Sequence, residues 1–259
     1  MNLFLRTTAL MLLLLSRAPL AAMPLNAVNL TDGRTSNTSQ NQISSRSFKY
    51  SLSGLYAIES FNSDPIQPYT DFDVLYSKAH QAQFELESLC KSTAMLSGTQ
   101  AFFSGIKSAD RAKQKIELEL NGNTNKITDL ARATIIADDV EGLMAAYETL
   151  TREATVVKAK NRFKTPNKSG YRDLNVVVEL PKTKLMVEVQ LHLRAIADVK
   201  SGPEHDIYKV IQGIERTAVA QDRSLNEFET GKIAQLRNQA FDLYHQAWQP
   251  YISPQATAA

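Results

Sequence analysis

The stretch YRDLNVVVELPKTKLMVEVQL, Tyr171 to Leu191, reads as two strands folded back on each other. Its first half, to Leu180, carries Val176, Val177 and Val178, and β-branched side chains suit a pleated, half-buried surface. Pro181-Lys182-Thr183-Lys184 has the composition of a turn. In the second half, Leu185 to Leu191, Glu188 and Gln190 stand two apart and share one strand face. The segment is a β-hairpin with one polar face.

Outward from this hairpin the pattern alternates. Thr155 to Phe163 is a further strand, and Ala133 to Ala137 a short apolar one. Between them, Asp138-Asp139 caps a helix from Val140 to about Arg152 that buries Val140, Leu143, Met144, Tyr147 and Leu150. Upstream, Phe72, Leu75, Ala79, Phe84, Leu86, Leu89 and Met95 form the apolar stripe of a long helix. A second helix starts near Ser108. Downstream, Ser224 with Glu227 makes a capping box for a last helix reaching Trp248, with Phe241, Tyr244 and Trp248 as core. A subunit contact is the alternative use of either apolar stripe. The order gives an α+β fold, a mixed β-sheet flanked by helices with helical N- and C-terminal additions.

The chain has 259 residues, 43% hydrophobic, enough for one medium-sized domain. A net charge of +2 supplies no overall field toward nucleic acid or membrane. Cys90 is the sole cysteine, which excludes an internal disulfide and reads as a buried small hydrophobe. Arg6, the run Ala9 to Leu15, Pro19 and Ala21-Ala22 read as a cleavable secretory signal over residues 1–22. That run is too short for a membrane span, which needs about 20 residues. Residues 23–50 are expected as a flexible polar leader, 51–250 as a single domain, and 251–259 as a tail. The expected location is periplasmic or secreted.

Lys158, Lys160, Arg162, Lys164, Lys168 and Arg172 fall within fifteen residues with no acid among them. Alternation puts Lys158, Lys160 and Arg162 on one strand face, where like charges call for an anion such as phosphate. A solvated basic edge strand is the plainer reading. Gly170-Tyr171 then places an aromatic ring, able to stack on a base, beside that basic face. Asp129 precedes one strand and Glu188 lies on another. Paired with phosphates, two such carboxylates are how a protein holds Mg²⁺.

Thr128-Asp129-Leu130-Ala131, the run Lys160 to Arg172, Glu188-Val189-Gln190 and His205-Asp206-Ile207-Tyr208-Lys209 stand in the order of a known family. With Lys107-Ser108 and Lys115 upstream, this order resembles the RelA/SpoT (p)ppGpp synthetase domain over about residues 100–212. The resemblance implies a nucleotidyltransferase-like mixed sheet and an ATP-dependent pyrophosphokinase, GTP/GDP diphosphokinase-like, acting with Mg²⁺ on a purine nucleotide acceptor. By position, Asp129 and Glu188 would be the catalytic and metal-binding acids. Lys107, Lys115 and Lys160 would meet donor phosphates, and Tyr171 the acceptor base. Gln190 would support them, with His205 in the late His-x-x-Tyr-Lys element. Arg162, Lys164 and Lys168 complete the expected nucleotide-binding set.

Departures from the family fall on nucleotide contacts. Gly105 and Thr134 stand where arginines are usual, and Arg132 where a small residue is common. Asn167 replaces a lysine, Asn175 a histidine and His192 an arginine. The acceptor therefore stays open, with the 3′ end of an RNA among the candidates. An exported toxin or effector reconciles a secretory signal with the use of ATP. The alternative is an inactive nucleotide- or RNA-binding module on the same fold.

Overall fold

The computed structural model describes residue 45 and residues 47–253. The expected signal at 1–22 and most of the expected leader lie outside the described residues. At the near end of that leader, Lys49 pairs with Glu148 Oε1 at 2.8 Å.

The helices are α1 (Leu52–Ala57), α2 (Phe72–Ser97), α3 (Ala109–Glu119), α4 (Val140–Glu153), α5 (Arg194–Ser201), α6 (Pro203–Ala220) and α7 (Glu227–Ile252). The strands are β1 (Phe61–Asn62), β2 (Gln100–Phe102), β3 (Arg132–Ala137), β4 (Thr155–Asn161), β5 (Leu174–Glu179) and β6 (Met186–Leu193). They form one six-stranded sheet in the order β1-β4-β5-β6-β3-β2. β3 runs parallel to β6 and the other neighbours are antiparallel, so the sheet is mixed. The fold is α+β.

Strand alternation divides the sheet into two chemically different faces. Ala133, Ile135, Val176, Val178, Val187, Val189 and Leu191 are buried on one face, against α2 and α4. The opposite face carries a cross-strand row of Thr134, Gln190, Asn175 and Lys160. One step along, Arg132 is registered against Glu188. α5, α6 and α7 pack together beside this polar face.

Local chemistry fixes the element ends. Asp71 accepts Val74 N at 2.9 Å to start α2, and Asp139 accepts Gly142 N at 2.7 Å to start α4. The β5–β6 turn is held by Glu85 of α2, whose carboxylate accepts the backbone N–H groups of Lys182 (2.7 Å) and Thr183 (2.9 Å). Cys90 is fully buried, and burial followed by the Glu87 charge pushes its thiol up to about 12.

Several expectations are corrected. Phe84 and Met95 are 74% and 78% exposed. At 100° per residue they lie on the side of α2 opposite Leu86, which faces the core. β4 ends at Asn161 rather than Phe163, because Asn161 Oδ1 accepts the N–H groups of Phe163 (3.1 Å) and Lys164 (3.2 Å) and turns the chain away. β5 starts at Leu174, so Gly170 and Tyr171 belong to a loop. Three helices, α5, α6 and α7, follow β6. The capping box is Asn226 with Glu229, two residues beyond Ser224 and Glu227, since the chain stays extended until Asn226. Phe241 is 47% exposed, while Tyr244 and Trp248 are buried.

Candidate active site

The segment leading into β3 carries Asp129 in a mostly buried position. Its Oδ2 accepts from Lys115 Nζ at 2.8 Å and Lys107 Nζ at 3.0 Å. Lys107 comes from the loop ahead of α3, tied to this segment by its own N–H, 2.8 Å from Leu130 O. Lys115 comes from α3 itself. Burial alone pushes the Asp129 pKa up, but hydrogen bonds and charges from Lys115 and Lys107 outweigh it and hold it below the ordinary value. The other oxygen, Oδ1, is buried without a partner.

Glu188 approaches the same end of the sheet along β6, its N–H donating to Ala131 O at 3.2 Å. The Glu188 Oε1 atom accepts from Gln190 Nε2 at 2.9 Å. Gln190 Oε1 in turn accepts from Lys200 Nζ of α5 at 2.7 Å.

Three adjoining clefts open beside these groups. The first, about 330 Å³, is lined by Phe102 and Phe103 on one side and by Arg132, Thr134, Glu188, Gln190 and Lys200 on the other. Arg132 Nε is buried in it without a partner. The second, about 410 Å³, shares Gln190 and Lys200 with the first and adds Arg162, Tyr171, Asp173, Glu204 and Tyr244. The third, about 710 Å³, meets the second at His205 and Tyr208. Five cations line that third cleft: Lys107, Arg111, Lys115, Lys209 and Arg216.

Tyr171 is half-buried in the second cleft. Its hydroxyl donates to Asp173 Oδ2 at 2.8 Å, and Asp173, fully buried, also takes Arg162 Nη1 at 2.5 Å. The ring has Lys200 Nζ 5.5 Å and Arg162 Cζ 5.7 Å from its centroid. The Tyr244 ring meets it edge-on at 5.5 Å.

Of the residues expected from sequence, the fold gathers Asp129, Lys107, Lys115, Glu188, Gln190, Arg162, Tyr171 and His205 around these clefts. Lys160, Lys164 and Lys168 are exposed and line none of the three. Lys160 sits two strands from Gln190, about 10 Å at ordinary strand spacing. The basic run is therefore split, and only Arg162 turns inward. Sequence reading missed Lys200, Glu204, Arg111 and Arg216, which stand outside the quoted motifs. Arg132 was visible as a departure, and its strand alternation with Thr134 was the signal that it shares the site's face.

Among the described residues no group of three or more His, Cys, Asp or Glu side chains gathers as a metal cage. Mg²⁺ is ordinarily held by one or two carboxylates together with substrate phosphates. The unpartnered Asp129 Oδ1 and the Glu188 carboxylate fit that demand.

The mixed-sheet α+β domain thus carries two clefts with aromatic walls and one lined by cations. Residues 104–213 match the model of the region found in RelA / SpoT proteins. Over 85 residues the chain is 36% identical to the (p)ppApp synthetase toxin Tas1 of Pseudomonas aeruginosa (strain UCBPP-PA14). That match spans 33% of this chain and 19% of the toxin. Among solved structures, the Type VI effector Tas1 in complex with its immunity protein is 22% identical, with a TM-score of 0.49 over 68% of this chain and 96% of that one. The small alarmone synthetase 2 of Bacillus subtilis is 19% identical, with a TM-score of 0.46 over 68% of this chain and 94% of that one.

Proposed function

We propose that this protein is a pyrophosphokinase that moves a pyrophosphoryl group from ATP to the 3′-hydroxyl of a purine nucleotide. The observation that carries the reading is the pair of carboxylates at one end of neighbouring strands, Asp129 bound by two lysines and Glu188 at the mouth of a cleft. Around them lie two clefts with aromatic walls and one lined by cations, the surfaces that two bases and a polyphosphate require.

In this reading the donor base occupies the first cleft with its triphosphate reaching from Glu188 toward Lys107 and Lys115, and the acceptor base lies against Tyr171 in the second. The acceptor O3′ forms a bond to the donor Pβ while the bond from Pβ to the α,β-bridging oxygen breaks, releasing AMP. Glu188 takes the proton from O3′. Magnesium, when bound by Asp129 and Glu188, would neutralise phosphate charge. The protein's share of the work is positioning and charge compensation, which dominate phosphoryl-type transfer.

Adenine nucleotides rank beside GDP and GTP as acceptors, because a relative of this chain is named a (p)ppApp synthetase toxin. Delivery as an exported toxin belongs to the same reading and rests on the apolar run Ala9 to Leu15.

The test incubates the full chain with ATP, Mg²⁺ and, separately, AMP, ADP, GDP, GTP or tRNA. A pyrophosphorylated product with matching AMP release, lost in Glu188→Gln and Asp129→Asn, is expected. Nucleotide or RNA binding without turnover, unchanged in both variants, would replace this reading with a binding module.

A further inference from the structure

We propose that Lys200 is a further catalytic residue, its ammonium contacting the pyrophosphoryl group in transit between donor and acceptor. This rests on the pyrophosphokinase reading and adds a residue that no sequence motif marks.

The argument starts from position. Two residues line both the first and the second cleft, Gln190 and Lys200. A group passing from a nucleotide in one cleft to a nucleotide in the other crosses the ground that they share. Lys200 is the cation of the two. Its carrier, α5, leaves β6 directly at Arg194, so one short helix returns the side chain over the strand that bears Glu188 and Gln190.

The chemistry of the ammonium points the same way. Among the described residues its hydrogen-bond acceptor is Gln190 Oε1 at 2.7 Å, which leaves donors free on a group that has three. Gln190 then donates to Glu188, so cation, amide and carboxylate form one chain from Lys200 to the acid that receives the proton. Asp173, Glu188 and Glu204 surround the ammonium electrostatically without an ion pair to any of them, while Arg162 adds a like charge. Burial, the largest influence, lowers the Lys200 pKa from its ordinary value. A half-buried cation with unused donors is stabilised by an arriving anion.

During transfer, the bond from O3′ to Pβ forms as the bond from Pβ to the bridging oxygen breaks, and the O3′ proton passes to Glu188. Negative charge on the phosphoryl oxygens and the departing AMP oxygen is what a nearby ammonium offsets. Atoms and charge balance with ATP and the acceptor alone.

The test measures steady-state kinetics of the full chain and of Lys200→Ala, Lys200→Gln and Lys200→Arg, with the acceptor that gives product. Removal of the cation should lower kcat about 100-fold, the scale of losing one preorganised donor, with KM for both substrates within about threefold. Lys200→Arg should recover part of the loss, and added ethylammonium should raise the rate of Lys200→Ala but not of the unaltered chain. If Lys200→Ala loses the native circular dichroism spectrum, Lys200→Gln is read by the same criteria. A kcat within about threefold of the unaltered chain, or a loss confined to KM, overturns the assignment and leaves the pyrophosphokinase reading intact. An unaltered chain that turns over no acceptor defeats that reading first, and this one with it.

Discussion

His192 Nε2 stands 2.6 Å from the hydroxyl oxygen of Tyr171, within the polar face of the sheet. Since the tyrosine's one proton goes to Asp173, the imidazole must supply its own hydrogen from Nε2. The ring is 1% exposed, and burial first, then the charges of Lys200 and Arg162, pushes its pKa well below 6.5. It is neutral in the folded protein. The unfolded chain takes up a proton below pH 6.5 that the folded chain refuses, so this contribution to stability is intact above pH 6.5 and erodes as pH falls. The slope approaches about 1.4 kcal/mol per pH unit. His192→Gln keeps an N–H donor and does not titrate. The melting temperature of the unaltered chain should therefore fall more steeply from pH 7 to pH 5 than that of the variant. Parallel curves would mean that the folded imidazole carries charge.

Asp129 has a pH dependence of the same sign in a more acidic window. With its pKa held below the ordinary 3.8 by Lys115 and Lys107, its stabilisation is complete above that value and is lost as pH falls through the lower, folded one. Asp129→Asn strands two partly buried lysines without their counter-charge, a loss of about 3 kcal/mol at pH 7. Urea unfolding at pH 7 should show that gap, and repeating it toward pH 2 should show the gap closing. A difference that stays constant with pH would exclude the ion pairs as its source.

The residues that were legible in sequence are those whose local chemistry and tertiary role agree. Asp139 announces a helix because it caps the helix that it precedes. The β5–β6 hairpin is legible because its valines and turn residues act on their nearest neighbours. β1 and β2, two and three residues long, carry no period to read. The same limit applies to the site. Asp129, Glu188 and Gln190 follow from strand position, whereas Lys200 joins them only because α5 folds back beside β6.

The capping box shows how small the margin can be. Ser224 and Glu227 have the right spacing, yet Asn226 Oδ1 accepts Glu229 N at 2.8 Å, and Glu229 returns to Asn226 N at 3.0 Å. Two overlapping motifs compete, and the Glu229 of the one that forms is also clasped by Arg223 at 2.7 and 2.8 Å. Asn226→Ala should cost about 1 kcal/mol, or about 2–4 °C in melting temperature for a chain of this size. Ser224→Ala should cost nothing measurable. The reverse ranking in a thermal melt would restore the earlier cap.

Gly170 links the stability of α7 to the placement of Tyr171. Its φ of +79° lies in the left-handed region, and its N–H donates to Asn167 O at 2.8 Å to close the loop. A Cβ there would come within 3.3 Å of both Phe241 Cδ2 and Tyr244 Cβ on α7. Gly170→Ala therefore meets two costs, about 1–2 kcal/mol for the backbone conformation and further strain where α7 must yield. Tyr244 borders the Tyr171 ring, so a displaced α7 alters the second cleft as well. The variant should melt several degrees lower, about 2–4 °C for each kcal/mol, and its KM for the acceptor should rise more than its KM for ATP. Equal changes in both constants would place Tyr171 outside the acceptor's cleft. An unchanged melting temperature would show that α7 moves freely enough to make room.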